Sequence, residues 1–398
     1  MTSVTTTLQP RVAPRRRIRL SWSDLRGIIW QVLIVGAILG VIWYLVDNTN
    51  RNLTARRIAT GFAFLDRVAG IPIGESLIDY DPSIHTYGRA LFVGVLNTLR
   101  VSIIGIVLAT VLGTLIGIGR LSTNWLLAKI TAAYVEVMRD IPLLLHLLFW
   151  YTLLQQFPGP RLALHIGDSV FLSNRGIGVP IVQWHDAFSW MALACGLGCA
   201  VIGLLRRLAR RRQEATGHRP LLWPLSVGLL IVVPGLVWFG LGAPFVVERP
   251  VLRGFNFQGG ATLSPEFAAL LIGLVIYTAA FIAEIVRSGI QAVPRGQWEA
   301  SRALGLRRGA ILRRIVLPQA LRLIIPPMTS QYLNITKNSS LAVAIGYQDL
   351  VSIANTTLNQ TGQAIEGIAY IMAVYLTISL SISLFMNYYN ARSALTER

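Results

Sequence analysis

Residues 299–318, EASRALGLRRGAILRRIVLP, set one carboxylate, Glu299, among five arginines between two long apolar stretches. Elsewhere the groups that do chemistry are thinly spread. The five histidines, His85, His146, His165, His185 and His218, show no HExxH spacing, and no Cys–His or paired-carboxylate constellation falls inside an apolar stretch. Acid–base or metal-assisted catalysis therefore has no residue set to work with. His146 alone lies in an apolar stretch, where a lone imidazole reads as a packing residue. Cys195 and Cys199 stand four apart on one helix face, which gives two thiolates and no further ligand, so they read as small packing residues. The two lysines, Lys129 and Lys337, follow Ala128 and Thr336, and neither completes the Gly-Lys-Ser/Thr of a phosphate-cradling loop. Any ATP that drives this protein must be hydrolysed on another polypeptide. Gly113 and Gly117, spaced by four in an apolar run, form a small-xxx-small packing face rather than a nucleotide loop.

The elements that carry these residues belong in a bilayer. Of 398 residues, 54% are hydrophobic and 14% charged, with a mean hydropathy of +0.57, whereas a soluble domain is about 25% charged. Uncharged runs near the length of about 20 residues that a span requires fall at 27–46, 101–119, 141–157, 187–205, 221–241, 267–283 and 367–391. An eighth, at about 321–345, is interrupted by Pro326, Pro327 and a string of polar residues. The N-terminal stretch with Arg11, Arg15, Arg16, Arg17 and Arg19 lacks a signal-cleavage pattern and is expected to be retained in the cytoplasm. Eight spans then put both termini inside. On this map twenty-five Lys or Arg lie in cytoplasmic segments and eight in outer loops, a bias of about threefold in the direction the positive-inside rule requires. Much of the net charge of +18 is thus orientation and anionic-lipid contact, not nucleic-acid binding.

The 299–318 segment falls in the cytoplasmic loop between the sixth and seventh spans. Pro294 and Gly296 introduce it, QWEASRAL predicts a short helix with Ala300 and Ala303 on one face, and Gly305 supplies a left-handed stop. A second helix is expected from about Leu306 to Leu317, ended by Pro318. Such an L-shaped projection fits a groove on a soluble partner; a basic loop held by lipid headgroups has the same composition.

The spacing Glu-Ala-small, a Gly six positions after the Glu, then Ile-x-Leu-Pro resembles the EAA loop of permease subunits in binding-protein-dependent ABC importers. The matching positions are Glu299, Ala300, Ser301, Gly305, Ile315, Leu317 and Pro318, with Ser301 where that family often has Ala. GVLNTLRVSIIGIVLATVLGTLIGIGRLS at 94–122 and YVEVMRDIPLLLHLLFWY at 134–151 are similar to the first two core spans of polar amino-acid permeases, and TKNSSLAVAIG at 336–346 is typical of amino-acid members. FLSNRGIGVP at 171–180 and the chain length resemble the Q-type permease of general L-amino-acid transporters. The resemblance covers about residue 88 to the C-terminus.

It implies an all-α integral membrane protein of about eight transmembrane helices: a five-helix MetI-like core, an N-terminal span and a two-span insertion. The expected division is a basic tail (1–26), an extra span with its periplasmic loop (27–87), two core spans (88–157), the insertion (158–263), and three core spans (264–391). The coupling loop lies at about 284–322, and a cytoplasmic tail (392–398) follows. The resemblance further implies a non-catalytic subunit in a bacterial inner membrane, importing L-amino acids. Its partners would be a second, non-identical permease, an ABC ATPase dimer that binds ATP and Mg, and a periplasmic amino-acid-binding protein. Residues 299–305 would carry the coupling helix that docks on the ATPase.

For a substrate path, Thr329, Ser330, Gln331, Asn334, Lys337, Asn338, Ser339 and Ser340 occupy the interrupted span, where lipid would not tolerate them. Lys337 could neutralise a carboxylate in a central cavity; equally, this polar set could hydrogen-bond across a permease–permease interface. Arg100 could contact an anionic group or snorkel outward. Arg139 and Glu136 are expected to fix helix packing or the ATPase-facing surface. The rival reading is an ion-coupled secondary transporter, which places ionisable residues near the bilayer midplane and shows repeated halves. Here Glu136, Glu266, Glu284 and Glu366 sit at predicted span ends, and no internal repeat is evident.

Overall fold

The computed structural model describes residues 22–55, 60–167, 169–217, 221–242, 245–254 and 256–393. The basic stretch from Arg11 to Arg19, the loop residues Arg56 and Arg57, His218, and the last five residues lie outside them. The helices are α1 (Trp22–Ala55), α2 (Tyr87–Gly119), α3 (Trp125–Asp140), α4 (Leu143–Gln155), α5 (Asp186–Thr216), α6 (Trp223–Val227) and α7 (Val233–Gly240). They continue as α8 (Pro265–Gln291), α9 (Arg295–Ala303), α10 (Arg308–Ile311), α11 (Leu317–Asn338), α12 (Leu350–Thr361) and α13 (Ala364–Ser393). Among the described residues six helices are long and apolar enough to cross a membrane, or seven if α3 and α4, which meet at 103°, count as one span. The segment expected as an eighth span is α11, continued by a 3-10 turn over Ser339–Ile345.

Side chains set the helix starts. Thr86 accepts from the Arg89 N–H to begin α2, Asn124 from Leu126 and Leu127 to begin α3, and Ser264 from Phe267 to begin α8, whose first residue is Pro265. The centre of the molecule is the seam between α2 and α8. A Cβ added at Gly113 would stand 2.7 Å from Ile282 Cβ and 2.8 Å from the Ala279 carbonyl oxygen, and one at Gly117 would stand 2.7 Å from the Ala283 carbonyl oxygen. The small-xxx-small face therefore does what its spacing suggests: it lets two backbones approach until side chains of one touch main chain of the other. By contrast, the most apolar windows of α1 and α13 contain no buried residue. The surface of α1 is left for lipid or another subunit, whereas α13 lays Tyr370, Ile371, Val374 and Tyr375 against the bundle and leaves only its outer face.

Three expectations change. The apolar run 141–157 does not cross by itself: it forms the 13-residue α4, short of the about 20 residues a span needs, and Pro142, which cannot continue the helix and restricts Ile141 before it, sets α4 at 103° to α3. Pro318 does not end the second loop helix either. The chain runs without a break from α10 through a π turn over Leu312–Val316 into α11, with the Leu317 N–H bonding back to the Leu312 carbonyl. A proline lacks the N–H and crowds the carbonyl four residues earlier, and a π turn just upstream supplies the local widening that takes this up. The same device precedes Pro234, where the Val233 N–H bonds to Gly228.

The third change is an addition to a chain that is otherwise helical as expected: among the described residues there are eight short strands, which lie in the segment between α4 and α8. β1 (Leu164–Ile166), β2 (Val170–Ser173) and β3 (Gly176–Val179) form an antiparallel meander. β4 (Ile181–Val182) pairs with β5 (Val247–Glu248), and β6 (Val251–Arg253) with β7 (Asn256–Gln258). β8 (Ala261–Leu263) joins the meander edge at β3, with Ile177 opposite Leu263. That pairing closes the neck from which α5, α6 and α7 emerge, so the chain returns to the start of α8 beside the point where it left. Strands of two to four residues are too short for a period-two pattern to register in the sequence.

Candidate functional site

The loop between α8 and α11 folds as an elbow. Helix α9 ends at Ala303 in a Schellman arrangement: the Gly305 N–H reaches the Arg302 carbonyl at 2.9 Å and the Leu306 N–H reaches Ser301 at 3.2 Å. Gly305 sits at φ +69°, the left-handed region that glycine enters without penalty. Trp298 and Leu306 press against a buried cluster that includes Val293, Ile311, Val316 and Ile282, so the elbow is seated on the end of the helix bundle. Ser301 faces inward, buried, with its hydroxyl donating to the Gln297 carbonyl. Glu299, Ala300, Ala303 and Gly305 face outward, and Leu304 at the tip is 78% exposed. Ile315 is half-buried, and Leu317 and Pro318 lie uncovered at the start of α11. The arrangement presents small residues and one leucine on a seated support, a face that permits close approach of a neighbouring molecule.

Helix α11 carries the second group. Ser330, Asn334 and Lys337 follow one another at helical spacing on a face that none of the described residues covers, with Gln331 and Asn338 half-buried alongside. Thr329 donates to the Ile325 carbonyl at 3.2 Å. Ser339 is buried and donates to the Thr336 carbonyl at 2.7 Å, and Ser340 donates to Lys337 at 2.7 Å. These two hydroxyls are engaged in the change from α to 3-10 winding, while the 330–337 stripe stays available.

Arg100 does not reach lipid. Its Nη1 lies 2.7 Å from Glu75 Oε2, and its guanidinium carbon is 4.2 Å from the centre of the Phe267 ring. Near the opposite end of α2, Arg120 and Arg287 converge on the Glu284 carboxylate, and Arg287 Nη1 extends to Gln291 at 2.5 Å. The i, i+3 spacing of Glu284 and Arg287 is visible in the sequence; the contribution of Arg120, from another helix, is not. Arg139 stacks 5.1 Å from the Phe281 ring beside the α3–α4 bend, and Glu136 is exposed. His146 is buried, 5.9 Å edge-on to Tyr277, with Nε2 3.4 Å from the Met138 carbonyl oxygen. Cys195 and Cys199 are both free thiols.

Sequence reasoning passed over Glu75, Asn97, Tyr347 and Gln348. The adjacent polar pair Asn97–Thr98, buried within α2, was the signal that could have pointed to them.

The profile of the family described as "Binding-protein-dependent transport system inner membrane component" matches residues 219–394. The chain is 53% identical over 94% of its length, and 95% of the other's, to YhdX of Escherichia coli (strain K12), which carries an amino-acid ABC transporter permease name. It is 47% identical, over 94% of this chain and 93% of the other, to the general L-amino acid transport system permease protein AapQ of Rhizobium johnstonii. Similarity at 42% identity, over 97% of this chain and 98% of the other, extends to the glutamate/glutamine/aspartate/asparagine transport system permease protein BztB of Rhodobacter capsulatus.

Proposed function

Because the chain belongs to the inner-membrane permease components of binding-protein-dependent ABC transport systems, we propose that it lines the translocation path of an importer for L-amino acids. A permease of this kind is a multi-pass, non-catalytic transport component whose system includes an ATPase and a binding protein. The finer assembly in this reading adds a second, non-identical permease and a pair of ATPase subunits holding ATP and Mg, with both chain termini in the cytoplasm.

The observation that carries the reading is the seated elbow at 295–305, which offers an outward face of small residues at the end of two packed core helices. Loaded binding protein docks on the outer face, and ATP-driven closure of the ATPases draws the coupling helices together. The spans then open outward, and hydrolysis resets them. The stripe of Ser330, Asn334 and Lys337, with Gln331, Asn338, Ser339 and Ser340 next to it, supplies the polar lining, and Lys337 meets the substrate carboxylate. Arg100 is the second cation of this path.

The test is to extract the tagged protein from its native membrane in mild detergent and identify its companions by mass spectrometry. A Walker-A ATPase and a second permease are expected. Recovery of the chain alone, with uptake that follows an ion gradient and survives ATP depletion, would overturn the assignment. Within an intact complex, Lys337→Met is expected to lower amino-acid uptake by about tenfold or more, since a charge-assisted hydrogen bond contributes about 1.5–3 kcal/mol. Loss of the second permease from the purified complex would instead place Lys337 in the subunit interface.

A further inference from the structure

Residues 60–86 precede the first core helix and cross the end of the bundle where α2 and α8 begin. Phe64, Ala69 and Ile71 are buried against Tyr87, Leu91 and Ile353, and this apolar seam holds the strap down. Polar bonds continue along it. The Gly61 N–H donates to Glu366 Oε1 at 2.6 Å, Gly74 N–H to Gln348 Oε1 at 2.6 Å, and Arg89 Nε to the Asp79 carbonyl at 3.0 Å. At the centre of the strap Glu75 turns inward. One carboxylate oxygen accepts from Arg100 Nη1 at 2.7 Å and the other from the Ser264 N–H at 2.8 Å, at the N-terminus of the 27-residue α8.

A guanidinium stacked on an aromatic ring, together with a backbone N–H at a helix N-terminus, is a carboxylate site. Here its occupant belongs to the chain itself. Next to it lies a cavity of about 130 Å³, room for several waters, bordered by Glu75, Asn97, Ser264, Glu266, Tyr347 and Gln348. Asn97 is fully buried and Tyr347 is 3% exposed, yet among the described residues Asn97 Oδ1 and the Tyr347 hydroxyl have no hydrogen-bond partner. Buried polar atoms left unpaired are costly, and both residues line the cavity, with these two oxygens enclosed behind its wall. Glu266 adds a carboxylate that accepts from the Tyr151 hydroxyl at 3.1 Å. The cavity thus has an anion-binding pole, already filled by Glu75, and a pole of oxygen atoms suited to an ammonium group.

We propose that Glu75 is a stand-in for a ligand carboxylate and that residues 60–86 form a gate: a small zwitterion displaces Glu75 from Arg100, sets its ammonium group among Glu266, Asn97 and Tyr347, and frees the strap. This rests on the amino-acid importer reading, and the two can fail separately.

The first test uses the full chain in nanodiscs and equilibrium dialysis against a defined mixture of ¹⁴C-labelled protein L-amino acids. Glu75→Gln keeps a group of the same shape for the Ser264 N–H but removes the competing charge. It is expected to lower the half-saturating concentration by about tenfold, because it enlarges the population with an open site. Arg100→Gln is expected to lose saturable binding. Binding by Glu75→Gln equal to or weaker than that of the unmodified chain overturns the proposal.

The second test locks the strap in the assembled transporter with Gly74→Cys and Gln348→Cys, after replacing Cys195 and Cys199 by alanine. Once peptide mass spectrometry shows a completed bridge, ATP-driven uptake is expected to fall by about tenfold and to return with reductant, since the open state is no longer populated. Undiminished uptake with the bridge complete overturns the gate. Amino-acid uptake that does not depend on this chain at all would instead remove the importer reading.

Discussion

Gly305→Trp is expected to bring ATP-driven uptake to background while membrane insertion and the yield of folded protein stay near normal. Two effects add at this residue. A side chain at φ +69° costs about 1–2 kcal/mol of backbone strain, which loosens the Schellman turn that ends α9. The second effect is steric, and it acts on the partner. A Cβ at Gly305 meets nothing within 4 Å among the described residues, so an indole there points away from the bundle and into whatever docks on the elbow. A graded series separates the two. Gly305→Asn, which tolerates the left-handed conformation, is expected to retain most uptake, Gly305→Ala to lose part of it, and Gly305→Trp to lose nearly all. Measuring ATPase stimulation by loaded binding protein beside uptake reports coupling directly. Normal uptake by the tryptophan variant would remove residues 299–305 from the coupling role.

The second large effect lies in the bundle. Gly113→Leu or Gly117→Leu is expected to abolish recovery of monodisperse, detergent-stable protein, because each new Cβ would meet a main-chain carbonyl of α8 closer than 3 Å. A flexible side chain could turn away, but a helix backbone can only be pushed off as a unit. Overpacking in a core that can adjust costs about 1–3 kcal/mol, and here the adjustment separates the two most intimately packed helices. Size-exclusion profiles and thermal melts check this. A leucine variant with an unchanged profile and melt would show that the α2–α8 seam is looser than its geometry. Gly36, in α1, has open space around it, and Gly36→Leu is the control expected to behave as the unmodified chain.

Both positions were visible in the sequence, but for different reasons. Gly113 and Gly117 announce themselves by a four-residue period in an apolar run, and such a pattern has few uses besides close helix packing. Gly305 stands where helical spacing stops, and its place after EASRAL marks a left-handed cap. What hid from the sequence was tertiary neutralisation. Span two was expected to start at residue 101 because Arg89 and Arg100 interrupt the apolar run, yet α2 begins at Tyr87. The strap supplies a carbonyl from Asp79 and the carboxylate of Glu75 to those two arginines, and nothing local to α2 foretells either. The break at Pro142 and the continuity at Pro318 show the complementary difficulty. Proline ended a helix in one place and was absorbed by a π turn in the other, and the choice depends on what packs around it. At the candidate site the polar stripe of α11 was legible residue by residue, since polar groups in an apolar run stand out. That Ser339 faces inward while Lys337 faces out follows from the helical phase, which the paired prolines obscured.

The absence of a stop at Pro318 has a mechanical meaning. From Arg308 to Asn338 the chain is one uninterrupted helical rod of 31 residues, roughly 45 Å long at 1.5 Å per residue. One end begins three residues past the elbow, and the other carries Lys337. On the proposed coupling role, such a rod is a lever. A tilt of about 5° at its base sweeps the far end through roughly 4 Å, about the diameter of a methyl group or a water, and does so without breaking a hydrogen bond. In that proposed role, the elbow that takes the force and the polar stripe are two ends of a single helical part, with Pro326 and Pro327 the points at which it bends most readily, and the stroke is set by the rod's length.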